Sequence, residues 1–126
     1  MNLKQKSSPT VLKTHRQIVK QMLSEISEGM KPAEGIHIQL VFDDIRDHYH
    51  LVQVGWIGDK RFCGSFIHID LIGEEVWIQY DGTEHGVAYD LVALGIPKTD
   101  IVLAYYEPAH RALTEFGTGN QQAEAA

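Results

Sequence analysis

A single cysteine, Cys63, stands among the 126 residues of this chain. One thiol cannot close a disulfide within the chain, and it cannot supply the paired thiolates of a cysteine-based zinc site. The sequence also lacks any run of about 18 apolar residues, so no membrane-spanning helix is expected. Its first nine residues, MNLKQKSSP, carry no apolar stretch of the secretory kind. Together with the unpaired thiol, this points to a reducing, cytoplasmic setting. The signatures of several enzyme classes are missing as well. There is no Gly-x-Ser-x-Gly elbow, no glycine-rich phosphate loop and no His-Glu-x-x-His helix. What is there is an ordinary globular composition, long enough to bury a core as one domain without a metal or disulfide staple.

Basic residues are scarce beyond the N-terminus. Residues 1–31 hold six bases and two acids, the rest of the chain holds five bases and 15 acids, and the net charge is −6. An acidic body repels phosphate, whereas affinity for nucleic acid comes largely from Lys and Arg neutralising it. Direct nucleic-acid binding by the body is therefore not expected. The basic first segment leaves contact with DNA, or with an acidic protein, as a separate option.

Residues 1–8 read as a flexible start. Ser8-Pro9 resembles an N-cap followed by proline in the first turn. Val11, Leu12, His15, Ile18, Val19, Met22, Leu23 and Ile26 then recur at steps of three and four, which predicts a helix over about 9–28 with one buried stripe. Gly29 is expected as a left-handed cap, with Pro32 preventing continuation. Ile36, Ile38, Leu40 and Phe42 alternate as a half-buried strand does. Further strands are expected at about 48–57, with Val52, Val54 and Trp56 on one face, at 61–72 and at 75–80. Gly58 and Gly73 mark short turns between them, so these strands should pair antiparallel in a meander. Thr83 is placed to cap a helix over about 85–94 ending at Gly95, Ile101–Tyr105 is apolar enough for a fifth strand, and Pro108 opens a last helix to about Glu115. Residues 117–126 read as a disordered tail. The expectation is one α+β domain over 9–116: an antiparallel meander of four to five strands, with an N-terminal helix and two C-terminal helices on one face.

Several constellations could carry chemistry. His68 and Asp70 lie two apart on the third strand and share a face, so they could be two metal ligands or a base with its orienter. Asp81, Glu84 and His85 follow the fourth strand, and a site built from His68, Asp70, Asp81 and Glu84 would suit a metal-dependent hydrolase or nuclease. The plainer alternative is that His68 bonds a strand neighbour and Asp70 ends the strand. His48 and His50 also share a face, with no third ligand fixed by the sequence. Cys63 sits mid-strand, where a thiol is usually a small apolar filler. Trp56, Trp77, Tyr80, Tyr105, Tyr106 and Phe116 are core residues or interface anchors. Arg111 is placed to pair with Glu107 or Glu115, or to clamp a partner carboxylate.

The run from His68-Ile69-Asp70 through Trp77-Ile78-Gln79-Tyr80-Asp81-Gly82-Thr83-Glu84 is distinctive. With Asp43, His48-Tyr49, Val54-Gly55-Trp56 and the stretch Leu91–Leu103, it resembles the XisI family, the fdxN-element excision controlling factors of cyanobacteria. The likeness covers about residues 12–117. One departure is Ala104-Tyr105-Tyr106-Glu107-Pro108, where the family usually shows Gly-Phe-His before the proline. The resemblance implies a role in programmed, site-specific DNA excision alongside a second protein, XisH, with a separate recombinase cutting and rejoining the DNA. The residues that carry it are Asp43, Tyr49, Gly55, Trp56, His68, Asp70, Trp77, Gln79, Asp81, Thr83 and Glu84. The favoured expectation is thus an accessory factor, not an enzyme. It has no catalytic residue, no metal and no cofactor, and it binds an XisH-like protein through Trp77, Asp81, Glu84, Tyr105, Tyr106 and Arg111. Self-association is left open and no membrane is involved.

Overall fold

A computed structural model describes residues 9–119. The flexible start expected at residues 1–8 and most of the tail expected at 117–126 lie outside the described residues. Helix α1 (Pro9–Gly29) is followed by β1 (Ile36–Asp43), β2 (His48–Ile57), β3 (Lys60–Ile72) and β4 (Glu75–Asp81). Helix α2 (Val87–Ala93), a 3-10 turn (Lys98–Asp100), β5 (Ile101–Leu103) and a one-turn helix α3 (Pro108–Arg111) complete the chain. Spatial order equals chain order, β1 to β5, and the first four strands pair antiparallel as their short turns require. β5 joins β4 in parallel, which makes the sheet mixed. The reason is the intervening α2: a chain that leaves one end of β4 and returns through a helix re-enters in the same direction.

The core lies on one face. Val19, Met22 and Leu23 of α1 and Val87, Ala88 and Leu91 of α2 cover Tyr49, Leu51, Ile67, Ile69, Leu71, Val76 and Ile78 of the sheet. Each such aliphatic side chain contributes about 1.5–3 kcal/mol by leaving water. The α1 stripe expected from the spacing is the one that packs here. His15, 5% exposed, belongs to it because its Nδ1 meets the Glu74 carbonyl oxygen at 3.0 Å and its Nε2 lies 3.7 Å from Asp100.

Several local expectations need correction. Gly29 is the last helical residue and has no left-handed φ; the helix closes through Met30 N–H donating to Ser27 at 3.3 Å. Thr83 does not cap α2. Asp81 Oδ2 accepts the Val87 N–H at 2.8 Å and its Oδ1 accepts from the Thr83 N–H and hydroxyl, while the Thr83 oxygen accepts only from Gly86 N–H. Two acceptor oxygens on one carboxylate suit this loop better than a single hydroxyl. α3 stops at Arg111 rather than near Glu115. Val52, Val54 and Trp56 do share a face, but it is the outer one, and Trp56 is 53% exposed; Tyr49 and Leu51 point to the core. Past Phe116, Gly117 bridges Val102, with its N–H donating to Ile101 at 2.7 Å, so residues 117–119 line the sheet edge instead of beginning the tail.

Candidate functional site

Strand register decides which polar residues meet. β2 and β3 place His48 opposite Asp70, and His50 opposite His68. Because side chains alternate and Tyr49 and Ile69 point to the core, these four point away from it. Two irregularities flank them: Phe66 is an extra residue of β3 against β2, and Gln79 is an extra residue of β4 against β3. Bulges of this kind re-aim side chains. Here Gln79 Nε2 donates to Asp70 Oδ2 at 3.2 Å.

Asp70 is the hub. Its Oδ1 accepts from His48 Nδ1 at 2.7 Å and from His68 Nε2 at 2.9 Å. Its side chain is 13% exposed, against 50% for His48 and 30% for His68. Burial alone would push this carboxyl up, but the hydrogen bonds and charges of His68 and His48 outweigh it and hold the group below the usual carboxylate range. The His50 ring stacks on His68 with centroids 4.0 Å apart, and its Nδ1 bonds Ser65 Oγ at 2.6 Å. Burial, followed by the neighbouring His68, pushes His50 below the ordinary histidine range.

The four residues proposed for a hydrolase centre are not gathered. Asp81 pairs with Ile67, whose side chain is in the core, and its carboxylate is taken up at the start of α2. Glu84 lies exposed in the loop beyond it. His48 is the residue that joins His68 and Asp70 instead. No residue of this cluster lines the groove of about 280 Å³ formed by Met22, Glu25, Ile26, Asp90, Ala93 and Leu94, or that of about 320 Å³ formed by Glu107, Ala109, His110 and Leu113.

The expected partner surface divides. Trp77, 1% exposed, shares the outer face with Asp70, where the Arg111 guanidinium covers it at 5.2 Å from the ring centroid. Arg111, 2% exposed, donates from Nε to the Tyr106 carbonyl at 2.9 Å and from Nη2 to that of Ala104 at 3.3 Å. Neither Trp77 nor Arg111 has surface to offer a partner, and Arg111 is engaged by backbone carbonyls and the Trp77 ring. Glu115 takes Lys98 at 2.6 Å and the Tyr89 hydroxyl at 2.8 Å. Tyr105 is 46% exposed and packs edge-on against the half-buried Tyr106 at 4.9 Å; burial, then the Asp81 charge, raises the Tyr105 phenol.

The other motif residues are structural. Asp43 Oδ1 accepts the Ile45 and Arg46 N–H groups and shapes the β1–β2 turn, where Asp47 adopts a left-handed φ of 61°. The Tyr49 hydroxyl sits beneath that turn, donating toward Asp44 and Asp47, each at 2.9 Å. Gly55 lies against Gly35 so closely that a β-carbon would fall 1.9 Å from the Gly35 oxygen. Of the bases on α1, Arg16 is paired with Asp47 and Lys20 with Asp44, each at 2.9 Å, so two of the charges that suggested a DNA contact are neutralised within the fold.

A small mixed sheet with α1 and α2 on one face, and on the other a histidine–aspartate cluster and the Arg111 side chain of α3, which was expected on the helical face, defines an α+β class of protein. The XisI protein family model matches residues 10–118, and the chain belongs to the XisI family. A solved structure of an XisI-like protein from Anabaena variabilis is similar at 31% identity and a TM-score of 0.81, covering 86% of this chain and 99% of that one. The fdxN element excision controlling factor XisI from the same organism is similar at 26% identity, a TM-score of 0.75 and the same coverage. No curated protein matches the chain.

Proposed function

We propose that this chain is an excision controlling factor that works by binding another polypeptide, an XisH-like protein, and performs no chemistry itself. The observation that carries the reading is the exposed acidic and aromatic end of the sheet beyond β4 and β5. There Glu84 and Tyr105 stand on the surface in the segments that follow β4 and β5, and Tyr80 near the end of β4 is 54% exposed, on a body of net charge −6. Acids beside half-exposed tyrosines suit a basic protein surface, since tyrosine supplies anchoring area and the acids steer encounter. The dispersal of His68, Asp70, Asp81 and Glu84 over two faces weighs against a shared hydrolytic centre. A role in DNA excision is supported by the name of the similar Anabaena factor.

The test is co-expression with an XisH-like protein and affinity purification of the pair. The wild-type chain is expected to retain the partner, and Glu84→Lys combined with Tyr105→Ala to lose it. A complex that survives the double change would move the interface elsewhere; no complex with the wild-type chain would overturn the adaptor reading.

A further inference from the structure

The outer-face cluster carries an inference that goes beyond partner binding. His48, His68 and Asp70 each offer one ligand atom, and these atoms all lie within 4.8 Å of one another. We propose that these three groups form a zinc site on the open face of the sheet, with water in the fourth position.

The geometry is that of a site slightly contracted around its centre. Tetrahedral zinc holds nitrogen and oxygen ligands at about 2.0–2.2 Å, which sets neighbouring ligand atoms roughly 3.4 Å apart. The two imidazole nitrogens lie 2.7 and 2.9 Å from the same Asp70 oxygen, so an outward movement of about half an ångström admits the ion. Two ring nitrogens converging on one oxygen fill both of its lone pairs, and the same convergence gathers the two nitrogens and one oxygen that such a centre needs. The backbone positions are fixed in advance by adjacent, antiparallel strands, with His48 directly opposite Asp70.

The surroundings support the same assignment. Ligating groups are normally held by outer hydrogen bonds. Gln79 holds the far oxygen of Asp70, and His50, itself tied to Ser65, stacks on His68. His48, half exposed, leaves one side of the centre open to water. Two imidazoles and a single carboxylate select a borderline ion such as zinc over magnesium or calcium, which prefer all-oxygen shells. The net charge of −6 favours any cation.

The test is calorimetric titration of the tag-free full chain with zinc chloride, with cobalt(II) absorption as a second readout. One ion per chain is expected, together with a cobalt d–d band that saturates at one equivalent. Asp70→Asn and His48→Ala should each weaken binding by at least about tenfold. His85→Ala should not, because His85 pairs with Asp90 at 2.7 Å and, among the described residues, no third ligand stands beside them. Circular dichroism before titration checks that the variants are folded, and His48, at the surface, is the safer of the two. Absence of binding by the wild-type chain at millimolar metal would overturn the proposal, as would equal affinity in a folded His48→Ala chain.

Discussion

The Arg111 guanidinium lies over the Trp77 ring, 5.2 Å from its centroid, while its nitrogens donate to the carbonyls of Ala104 and Tyr106. This one side chain fastens the C-terminal segment across the outer face of the sheet. Hydrogen bonds from a charged donor contribute about 1.5–3 kcal/mol and a desolvated cation–π contact about 2 kcal/mol. Arg111→Ala is expected to cost about 3–4 kcal/mol and to lower Tm by roughly 10 °C in thermal unfolding. Arg111→Lys should recover only part of this, because an ammonium lacks the planar fork that reaches two carbonyls while covering the ring. A full recovery by lysine would remove the planar clamp.

Gly55 tests the junction between β2 and the start of β1. Its φ is +147° and an added β-carbon would meet backbone that cannot move aside. Gly55→Ala should destabilise by more than about 2 kcal/mol. Gly64→Ala, where a methyl group meets open space, should stay within about 1 kcal/mol. Urea unfolding midpoints of the two variants give the comparison, and equal effects would contradict the close contact.

The acid limb of the stability curve should depend on Asp70. Its carboxyl is held low by His68 and His48 against the opposing effect of burial. A lowered folded pKa means the unfolded chain takes up the proton first. The contribution is therefore present above about pH 4 and is lost as pH falls through the folded value. Asp70→Asn should flatten this part of the curve between roughly pH 4 and 2. An unchanged slope in urea titrations across that range would count against the hub role.

The alkaline limb should depend on Tyr49. Burial first, then its bonds to Asp44 and Asp47, raises the phenol well above its ordinary value. Here the unfolded chain loses the proton first, so stability is complete below about pH 10 and declines above it. Tyr49→Phe should cost about 1–2 kcal/mol at neutral pH and reduce the decline above pH 10. A variant as stable as the wild type would show that the hydroxyl is not needed beneath the β1–β2 turn.

Local pattern made much of this fold legible. The stripe from Leu12 to Ile26 and the turns at Gly58 and Gly73 mark α1 and the four-strand meander without any knowledge of tertiary contacts. Direction in β5 was not legible, since three apolar residues pair equally well either way until α2 dictates the crossover. The site was half visible. His68 and Asp70 share a face by simple alternation, but His48, 22 residues from Asp70, joins them only through the register of β2 and β3. The bulges at Phe66 and Gln79 shift that alternation and leave no mark in composition. Trp77 and Arg111 looked like interface anchors because the same chemistry, a large ring and a guanidinium, also builds a small internal core.

An anionic adaptor should recognise protein and ignore nucleic acid. The most direct measurement is calorimetric titration of the purified chain with an XisH-like protein and, in the same buffer, with duplex DNA. The adaptor reading predicts saturable heat with the protein, diminished by Glu84→Lys with Tyr105→Ala, and none with DNA. Binding to DNA with a steep salt dependence, and no heat with the protein, would contradict it.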